Sequence, residues 1–551
     1  MIKEEIENLL LADEKALDVN GINSSMMRRL DDYILDVAQS ECSITPEVFN
    51  IYKKFVSMKQ EAPEGMKNEL FSVMKNYIKE KSSNGEFLDA LFMSRFLAVK
   101  SKLSAGSYYE MGEILANLGQ LDLSLEFIKL YEKFETNKPL RILSLANYYN
   151  LHMKDYKSAI KYYEQYLKVD ETKAVVYTIV ASLYAKVYGE ISLKDQIHYF
   201  ERAYRLKPKD RLVLHGLAFG YEKLGDKVKA NRYYQELLKC DATPTDYYNY
   251  GAFLINCGEF ELGHRYFARR FETGDKNLIY PLDIQKKWDF KTDISDKILL
   301  VHFEQGFGDT FMYCRFVPMM RGIAKKIIFV VQDEVFELIK DSKIMTGIKL
   351  LSNKEDLSAV KYDVSMALLD VPLVLGIRSE NIPAQKYLKV SSTKVKQYAK
   401  EYIKPTKNIK VGLAYQGDKA ANYNGRDIDF TRFNRIFALK GFDFYSLSKE
   451  VEDSEHVISL GDTFEDFTDT ACAIKNMDIV ISTDNVILNL AGALGVKSYG
   501  LFNKHPNFRW YKLSGDNVGW YESVKAIQVE ENNCWSSVFS ELINILSEYK
   551  K

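Results

Sequence analysis

The stretch VHFEQGFGDTFMYCRF, residues 301–316, decides the fold of the second half of the chain. Apolar residues suited to a buried strand run from Ile298 to Val301, and a helix-like apolar pattern resumes after residue 309. Between them lie two glycines and two carboxylates: Glu304, Gly306, Gly308 and Asp309. Ligands of α/β proteins bind at the carboxyl ends of strands, where glycine lets backbone approach them closely. An ordinary turn with Asp309 or Thr310 capping the helix is the alternative, and these residues alone favour it.

The length and composition of the chain indicate several globular domains. At 551 residues, a prior of about one domain per 150 residues predicts three or four units. Basic and acidic side chains are balanced, 75 against 76, so nothing in the charge calls for nucleic acid or an anionic membrane as a partner.

The cysteines and the apolar runs favour a cytoplasmic protein. None of the six cysteines forms a CxxC pair, so neither a disulfide framework nor a zinc site is expected. The N-terminal stretch MIKEEIENLLLADEKALD resembles a charged amphipathic helix and lacks the features of a signal peptide. No apolar run approaches the length that spans a bilayer, so we expect no membrane span.

A pair of large apolar residues recurs along the first half of the chain. The pairs are Phe92-Met93, Phe127-Ile128, Tyr162-Tyr163, Tyr199-Phe200, Tyr233-Tyr234 and Tyr266-Phe267. They are spaced by 35, 35, 37, 34 and 33 residues, and turn signals such as NGEF at 84, LGQL at 118 and LGDK at 224 precede most of them. A period near 34 residues with two helices per unit is typical of tetratricopeptide repeats, and five such spacings argue against a generic helical bundle.

We therefore predict a helical solenoid over residues 85–290, with residues 1–84 as a helical region that extends or caps it. The unit that contains KVYGEISLKDQ departs from the pattern through a small insertion. The concave side of such a solenoid commonly holds an extended peptide or a protein, so a binding role is implied while the ligand stays unidentified.

The second half of the chain alternates short apolar strands with helices. Seven strands are predicted at KILLVHF (297), KKIIFVVQ (325), GIKLLS (347), NIKVGLAYQG (408), FDFYSLS (442), MDIVISTD (477) and VKSYGLF (496). This order indicates βαβ units and mostly parallel sheets. The charged, helix-prone segment VSSTKVKQYAKEYIKPTKN divides the strands into two lobes, 296–390 and 391–551, with a cleft between them.

Two more polar stretches follow predicted strands. The loop YQGDKAANYNGRDIDF, residues 415–430, supplies Lys419 and Arg426, and the second stretch, 482–495, opens a helix behind Thr483 and Asp484. A helix N-terminus favours a phosphate, whereas Asp484 suits a ribose hydroxyl or a cap of its own helix. Arg426 could neutralise a phosphate leaving group. A solvated basic loop and a capped, tightly packed helix are the structural alternatives.

Four stretches together carry a resemblance to a known family. They are EQGFGDTFMYCRFVP, VGLAYQGD, DFTDTACAIKNMDIVISTDNVILNLAGALG and NFRWY with VGWYESVKAIQ. In this order, over most of 296–530, they resemble bacterial tetratricopeptide-repeat glycosyltransferases whose catalytic region is similar to the lipopolysaccharide heptosyltransferases. The resemblance implies an α-helical solenoid followed by a two-lobed GT-B fold. Members with this order include flagellin-modifying transferases, and O-GlcNAc transferase has a similar combination.

The resemblance also implies roles for individual residues. Asp309, after Gly308, falls where the family places its proposed catalytic base, and Arg426 is the best match to the basic residue that contacts the donor phosphates. The motif that begins at Asp484 departs from the family, because Asn485 replaces threonine or serine and Asn489 replaces histidine. The residues predicted to bind the donor are Gly306, Gly308, Gln416, Lys419, Arg426, Thr483, Asp484, Asn485 and Asn489.

The sequence thus predicts a cytoplasmic protein O-glycosyltransferase of the inverting, metal-independent type. Its donor would be a nucleotide sugar, with no other cofactor, and its acceptor a protein, with flagellin favoured on resemblance alone. One alternative is a repeat scaffold with weakened catalysis, which Asn485 and Asn489 favour. Another is a transferase that extends a glycan on a lipid. The short DID match at 427–429 and the seven scattered histidines are not expected to bind metal.

Overall fold

The structure is a computed structural model that describes residues 24–39, 64–100, 104–417, 426–449, 454–513, 518–529 and 534–549. The chain divides into two compact units, Met1–Leu224 and Gly225–Lys551. Two predicted helical stretches, at the N-terminus and around PEVFNIYKKFVSMKQ, lie outside the described residues.

The described part of the first unit consists of helices. Their bounds are α1 Ser24–Gln39, α2 Glu64–Ser83, α3 Phe87–Lys100, α4 Ala105–Asn117, α5 Leu121–Phe134, α6 Lys138–Leu151, α7 Tyr156–Leu167, α8 Ala174–Tyr188, α9 Leu193–Leu206 and α10 Arg211–Leu224. Helix α1 contributes Leu30 and Ile34 to the core that also contains Phe92 and Phe127 of the predicted repeats. The N-terminal region therefore packs on the repeats that follow it.

The repeat period is visible in the backbone of the turns. A residue in the left-handed region occurs at Gly85, Gly119, Lys154, Gly189, Gly225 and Gly258, at intervals of 33 to 36 residues. Such a residue ends a helix and reverses the chain, and glycine adopts this conformation without steric cost. After two of these turns an aspartate caps the next helix, since Asp155 and Asp226 each accept a backbone N–H. The predicted solenoid of paired helices is confirmed.

The repeat that contains the predicted insertion keeps the spacing of the turn residues. The insertion predicted from KVYGEISLKDQ is a short 3₁₀ turn, Gly189–Ser192, between α8 and α9. The span Ala174–Leu206 is long and apolar enough to cross a membrane by length and composition. Gly189 nevertheless interrupts it, and α8 and α9 pack against each other.

The second unit begins with three further helices of the repeat type. They are α11 Lys227–Leu237, α12 Pro244–Asn256 and α13 Phe260–Phe267. The backbones of α12 and α13 are in close contact, since a Cβ on Gly251 would lie 2.5 Å from the backbone nitrogen of Phe267. Ile255, Phe260 and Phe267 belong to the same hydrophobic core as strand residues of the following lobe. The last helical pair is thus built into the α/β region.

The first lobe is a parallel four-stranded sheet with helices. Its elements are β1 Ile298–His302, α14 Phe307–Tyr313, β2 Lys326–Val331, α15 Asp333–Asp341, β3 Lys349–Ser352, β4 Val364–Ala367 and α16 Val371–Val374. The strand order is β3-β2-β1-β4. The predicted strands at 297, 325 and 347 are confirmed, whereas β4 was not predicted.

The second lobe is a parallel six-stranded sheet. Its elements are α17 Ser392–Tyr402, β5 Ile409–Ala414, α18 Asn434–Phe437, β6 Phe442–Ser446, β7 Val457–Ser459, α19 Phe467–Lys475, β8 Ile479–Thr483, α20 Val486–Leu494, β9 Ser498–Phe502, β10 Val524–Gln528 and α21 Ser536–Ser547. The order β10-β9-β8-β5-β6-β7 is that of a doubly wound sheet. The four strands predicted here are confirmed, and α17 coincides with the predicted helical link between the lobes.

The one repeat turn without glycine yields a test of the turn geometry. Lys154 has a φ of 52°, a conformation that costs a non-glycine residue about 1 kcal/mol. We expect Lys154→Gly to raise the free energy of unfolding by roughly 0.5–1 kcal/mol. Urea unfolding followed by the helical circular dichroism signal measures this change.

Gly119→Ala is the matched control, because Gly119 has a φ of 79° and a Cβ there would meet nothing within 4 Å. It should destabilise by a similar amount through backbone strain alone. Equal stability of Lys154→Gly and the unsubstituted protein would contradict the assigned turn.

Candidate functional site

Most of the predicted site residues that the structure describes follow strands beside the point where the strand order reverses. In the first lobe the reversal falls beside β1, which leads into the loop at 303–306. In the second lobe it falls between β5 and β8, which lead to Gln416 and Asp484. Ligands of open α/β sheets bind at such reversal points.

Asp309 caps the helix that follows β1. Helix α14 begins behind Gly306, and the Oδ2 atom of Asp309 accepts the Gly306 backbone N–H at 3.2 Å. The structural alternative considered from the sequence is therefore present in the structure. The cap leaves the second carboxylate oxygen, Oδ1, for another partner.

That partner is Arg509, which belongs to the second lobe. Its Nε lies 2.5 Å from Oδ1 of Asp309, and both side chains are largely buried, with 10% and 13% of their surfaces exposed. Arg509 also donates to the side chains of Gln305 at 2.5 Å and Asn507 at 2.8 Å. The loop after β9 is thus tied to the loop after β1.

The electrostatic surroundings of Asp309 act in opposite directions. Burial raises the pKa of Asp309, the charge of Arg509 and the backbone N–H of Gly306 lower it, and the charges of Glu304 and Asp484 raise it further. The net pKa is above the ordinary value of an aspartate. A carboxylate of this kind accepts a proton more readily than an exposed one.

Glu304, the other carboxylate of the opening stretch, is bound by a different arginine. Arg270, whose side chain is fully buried, donates to both oxygens of Glu304 at 2.5 and 2.8 Å and to Oδ1 of Asp370 at 2.6 Å. The backbone N–H of Leu369 donates to Glu304 as well. Because Arg270 follows α13, this cluster fixes the end of the helical repeats to the loop after β1.

Gly308 and Asn489 lie at a contact between the two lobes. A Cβ on Gly308 would lie 3.2 Å from Nδ2 of Asn489, so the glycine allows α14 to approach α20 closely. Asn489 donates to the backbone oxygen of Asn485 and accepts from the hydroxyl of Tyr521. The structure therefore shows packing contacts for Gly308 and Asn489, and their donor contacts stay a prediction.

Asn485 is occupied by hydrogen bonds within its own lobe. Its Oδ1 accepts the backbone N–H groups of Ile487 and Leu488 at the start of α20. Its Nδ2 donates to the backbone oxygens of Ala414 and Gln416 at the end of β5. Asn485 therefore joins β5 to α20 and is 8% exposed.

The remaining predicted residues differ in accessibility. Thr483 is fully buried, and its hydroxyl accepts from Asn485. Gln416 and Gly306 are exposed. Lys419 lies outside the described residues.

Asp484 has a hydrogen-bond donor that the sequence did not suggest. Trp510 donates its indole N–H to Oδ1 of Asp484 at 2.7 Å. Burial raises the pKa of Asp484, while the Trp510 hydrogen bond and the charges of Arg426 and Arg509 lower it by less. Trp510 follows Arg509 directly, so one short segment contacts the carboxylates of both lobes.

Arg426 lies beside Asp484 at the edge of a pocket. Its guanidinium donates to the backbone oxygen of Asp484 at 3.3 Å and rests on Gly417, whose Cβ would lie within 3 Å of it. Its buried Nε finds no acceptor among the described residues. The pocket is lined by Arg426, Asp484, Leu501, Phe502, Asn503, His505, Pro506 and Asn507.

Arg270, Arg509 and Trp510 were not predicted as site residues. Arg509 and Trp510 stand in the stretch NFRWY, which the resemblance included without assigning a role to any of its residues. An arginine beside a tryptophan shortly after a predicted strand was the available signal. Arg270 gave none, because nothing in the repeat pattern distinguishes it from the neighbouring Arg269.

The described residues offer no group of three or more histidine, cysteine or carboxylate side chains that could hold a metal ion. The DID stretch has structural contacts. Asp427 accepts the backbone N–H of Gly417, and Asp429 caps the turn that starts at Phe430.

Helical repeats of the tetratricopeptide type followed by two parallel, doubly wound lobes constitute the GT-B architecture with a repeat region before it. No family model matches the chain. Protein FlbA of Caulobacter vibrioides is 20% identical over 392 residues, which cover 64% of this chain and 64% of that protein. The chain thus spans less than two thirds of the length of this curated relative.

Solved structures are similar to parts of the chain. The glycosyl transferase family 9 structure from Veillonella parvula is 11% identical, with a TM-score of 0.34, and the match covers 48% of this chain and 92% of that one. MamA from Desulfovibrio magneticus is 20% identical, with a TM-score of 0.26, and the match covers 30% of this chain and 93% of that one.

The surroundings of Asp484 predict a stabilising substitution. Because its folded-state pKa is raised, the fold favours the protonated form, and stability falls as the pH rises through that pKa. Asp484→Asn keeps an oxygen for Trp510 and removes the charge. We expect its free energy of unfolding to exceed that of the unsubstituted protein at pH 7, with the gain vanishing near pH 3.

The control is Asp484→Ala, which leaves the buried indole N–H of Trp510 without its acceptor. It should destabilise by about 1–3 kcal/mol. Urea unfolding at several pH values measures the free energy of unfolding of both variants. The assignment is contradicted if the stability gain of Asp484→Asn over the unsubstituted protein is smaller at pH 7 than at pH 3.

Proposed function

We propose that this protein is a nucleotide-sugar-dependent protein O-glycosyltransferase. The observation that carries the proposal is a pair of carboxylates, Asp309 and Asp484, one in each lobe. Each lies beside the point where the strand order of its sheet reverses. Neighbouring residues of one segment of the second lobe contact both of them. A buried carboxylate in one lobe and a basic, hydroxyl-binding pocket in the other match the needs of sugar transfer.

The donor binds in the pocket of the second lobe. Arg426 offers a guanidinium with an Nε that has no protein acceptor among the described residues, so a donor phosphate can take that position. Asp484, beside it, suits a ribose hydroxyl, and the exposed Gln416 lies at the same strand end. Lys419 stays a predicted phosphate contact on sequence grounds alone.

Asp309 acts as the general base. It accepts the proton of the attacking hydroxyl while the hydroxyl oxygen bonds to the anomeric carbon of the sugar. The bond between that carbon and the phosphate oxygen breaks, and the nucleotide leaves with the electron pair. Attack from the face opposite the phosphate inverts the anomeric centre, and Arg426 balances the charge that develops on the leaving group.

The helical repeats bind the acceptor, a protein with a serine or threonine hydroxyl. Their last pair, α12 and α13, shares a hydrophobic core with the first lobe, so an acceptor held by this pair stays close to the reacting groups. Such tethering raises the effective concentration of a weakly bound acceptor. Flagellin is the acceptor proposed, on family resemblance alone.

The cytoplasm is the proposed location of the reaction. The cysteines of the described segments are free, as expected of a protein in a reducing compartment.

A scaffold with weakened catalysis is the second candidate. The specific observation that favours it is the engagement of Asn485 and Asn489 in contacts within the protein: Asn485 uses both ends of its amide group there, and Asn489 uses its oxygen and one N–H. A scaffold of this kind has no need of a nucleotide, so nucleotide binding separates the two candidates.

Calorimetry with CMP, UDP, GDP and ADP tests the transferase proposal. One nucleotide should bind saturably, and Arg426→Ala should weaken its binding roughly 10- to 100-fold, because a charge-assisted hydrogen bond contributes about 1.5–3 kcal/mol. Arg432→Ala is the matched control, since Arg432 is an exposed arginine six residues further along the chain. It should leave the affinity unchanged.

Absence of binding by the folded protein would favour the scaffold. Equal affinity of the Arg426→Ala variant and the unsubstituted protein would place the nucleotide outside this pocket.

A further inference from the structure

Arg509 has a position that the donor pocket and the general base do not by themselves explain. It is 8% exposed, and its guanidinium is held on three sides, by Asp309, Gln305 and Asn507. Its backbone oxygen accepts the indole N–H of Trp520 at 2.6 Å. The side chain therefore occupies a fixed site between the lobes.

The first lobe adopts an unfavourable backbone conformation at this contact. Gln305 has a φ of 59°, in the left-handed region that costs a non-glycine residue about 1 kcal/mol. Its side-chain oxygen accepts from Arg509. Strained backbone persists where surrounding contacts determine it, and such sites are frequently functional.

The charges around Asp309 give Arg509 a specific electrostatic role. Asp309 interacts with the carboxylates of Glu304 and Asp484, and with Tyr313 on its own helix. Glu304 already has its cation in Arg270. Arg509 is thus the cation in direct contact with Asp309, and the negative charges around it all oppose ionisation of this carboxylate.

We propose that Arg509 is a positioning residue for the transfer reaction: from the second lobe it holds Asp309 of the first lobe as a fixed, ionised carboxylate. The role rests on the proposed function, since it assigns Arg509 to the base of that reaction. Asp309 can then act as a base only while it contacts Arg509 of the second lobe. The segment 507–510 contacts both this base and Asp484 in the donor pocket.

Lysine cannot reproduce this arrangement. Arginine places Nε at ion-pair distance from Asp309, without a hydrogen bond between them, while its two terminal nitrogens donate to Gln305 and Asn507. An ammonium, by contrast, is a single point of charge. Arg509→Lys therefore keeps the positive charge but loses the fixed orientation of the guanidinium, whereas Arg509→Gln loses both the charge and the orientation.

The test is the pH dependence of nucleotide release from sugar conjugates of the nucleotide that calorimetry identifies, with water as the attacking group. Water needs the same proton removal as a protein hydroxyl, so no acceptor has to be known. In the unsubstituted protein the rate falls at low pH as Asp309 becomes protonated. Loss of a cation in direct contact raises a carboxylate pKa by about 1–3 units, so the acid limb of Arg509→Gln should move upward by that amount.

Arg509→Lys should show a smaller shift of the acid limb together with a lower kcat. Arg315→Gln is the matched control, because Arg315 is also a buried arginine between the lobes. It donates to the backbone oxygens of Met312, Pro383 and Trp520 and to the hydroxyl of Tyr387, and to no carboxylate among the described residues. Its substitution can lower stability, yet the acid limb should stay in place.

A folded fraction that is constant over the pH range changes the height of the profile and leaves the limb in place, so the circular dichroism signal is recorded at each pH and only the range with constant signal is compared. Ionisation of the substrate is common to all variants. An unmoved limb in Arg509→Gln, in a protein that turns over the donor, overturns the role of Arg509 and leaves the proposed function intact. An equal shift in Arg315→Gln overturns it as well, because a general structural effect then explains both. If the unsubstituted protein turns over no nucleotide sugar, the proposed function fails and the role of Arg509 with it.

Discussion

Arg509 of the second lobe reaches Asp309 of the first, and the geometry of the site depends on this buried pair. Removing two charges from water costs several kcal/mol per ion, which only close contact and further hydrogen bonds offset. Here the carboxylate also accepts the Gly306 N–H, and the guanidinium also donates to Gln305 and Asn507. Either charge left alone would be strongly destabilising. The helix after β1 and the loop after β9 must therefore adopt their positions together.

Close packing of the lobes makes this pairing possible. Gly308 removes the side chain that would otherwise separate α14 from α20, and Asn489 fills the space beside it. Phe307 and Phe311 of α14 contact the ring of Phe467 in the second lobe, with centroids 5.0 and 5.1 Å apart. Asn485 and Asn489 thus make their contacts within the framework of the site.

Three carboxylates lie near one another, and each has a different partner. Arg270 neutralises Glu304 with two hydrogen bonds, Arg509 forms an ion pair with Asp309, and Trp510 gives Asp484 a neutral donor. The consequences differ: Glu304 fixes the loop after β1, Asp309 is the proposed base, and Asp484 lies beside the guanidinium of Arg426. The different partners make three similar side chains chemically distinct.

Much of the architecture was predictable from the sequence, because its signals are local. The turn residues recur every 33 to 36 positions, and the seven predicted strands are short runs of mainly apolar residues. The strands β4, β7 and β10 were not predicted: β4 and β7 have only four and three residues, and β10 interrupts its apolar residues with Lys525 and ends at Gln528. The contacts of Arg270 and Arg509 join residues 34 and 200 positions apart, and no local pattern reports such pairs. For the same reason, the packing roles of Gly308 and Asn489 emerged only from the structure.

The central claim is that donor binding and proton removal belong to different lobes. Asp309→Asn tests it most directly, when the rate of sugar transfer and the nucleotide affinity are measured on the same preparation. We expect a transfer rate lower by about 100- to 10,000-fold, with the nucleotide Kd changed by less than about threefold. An undiminished transfer rate, or a loss of nucleotide binding as large as the loss of transfer, would contradict it.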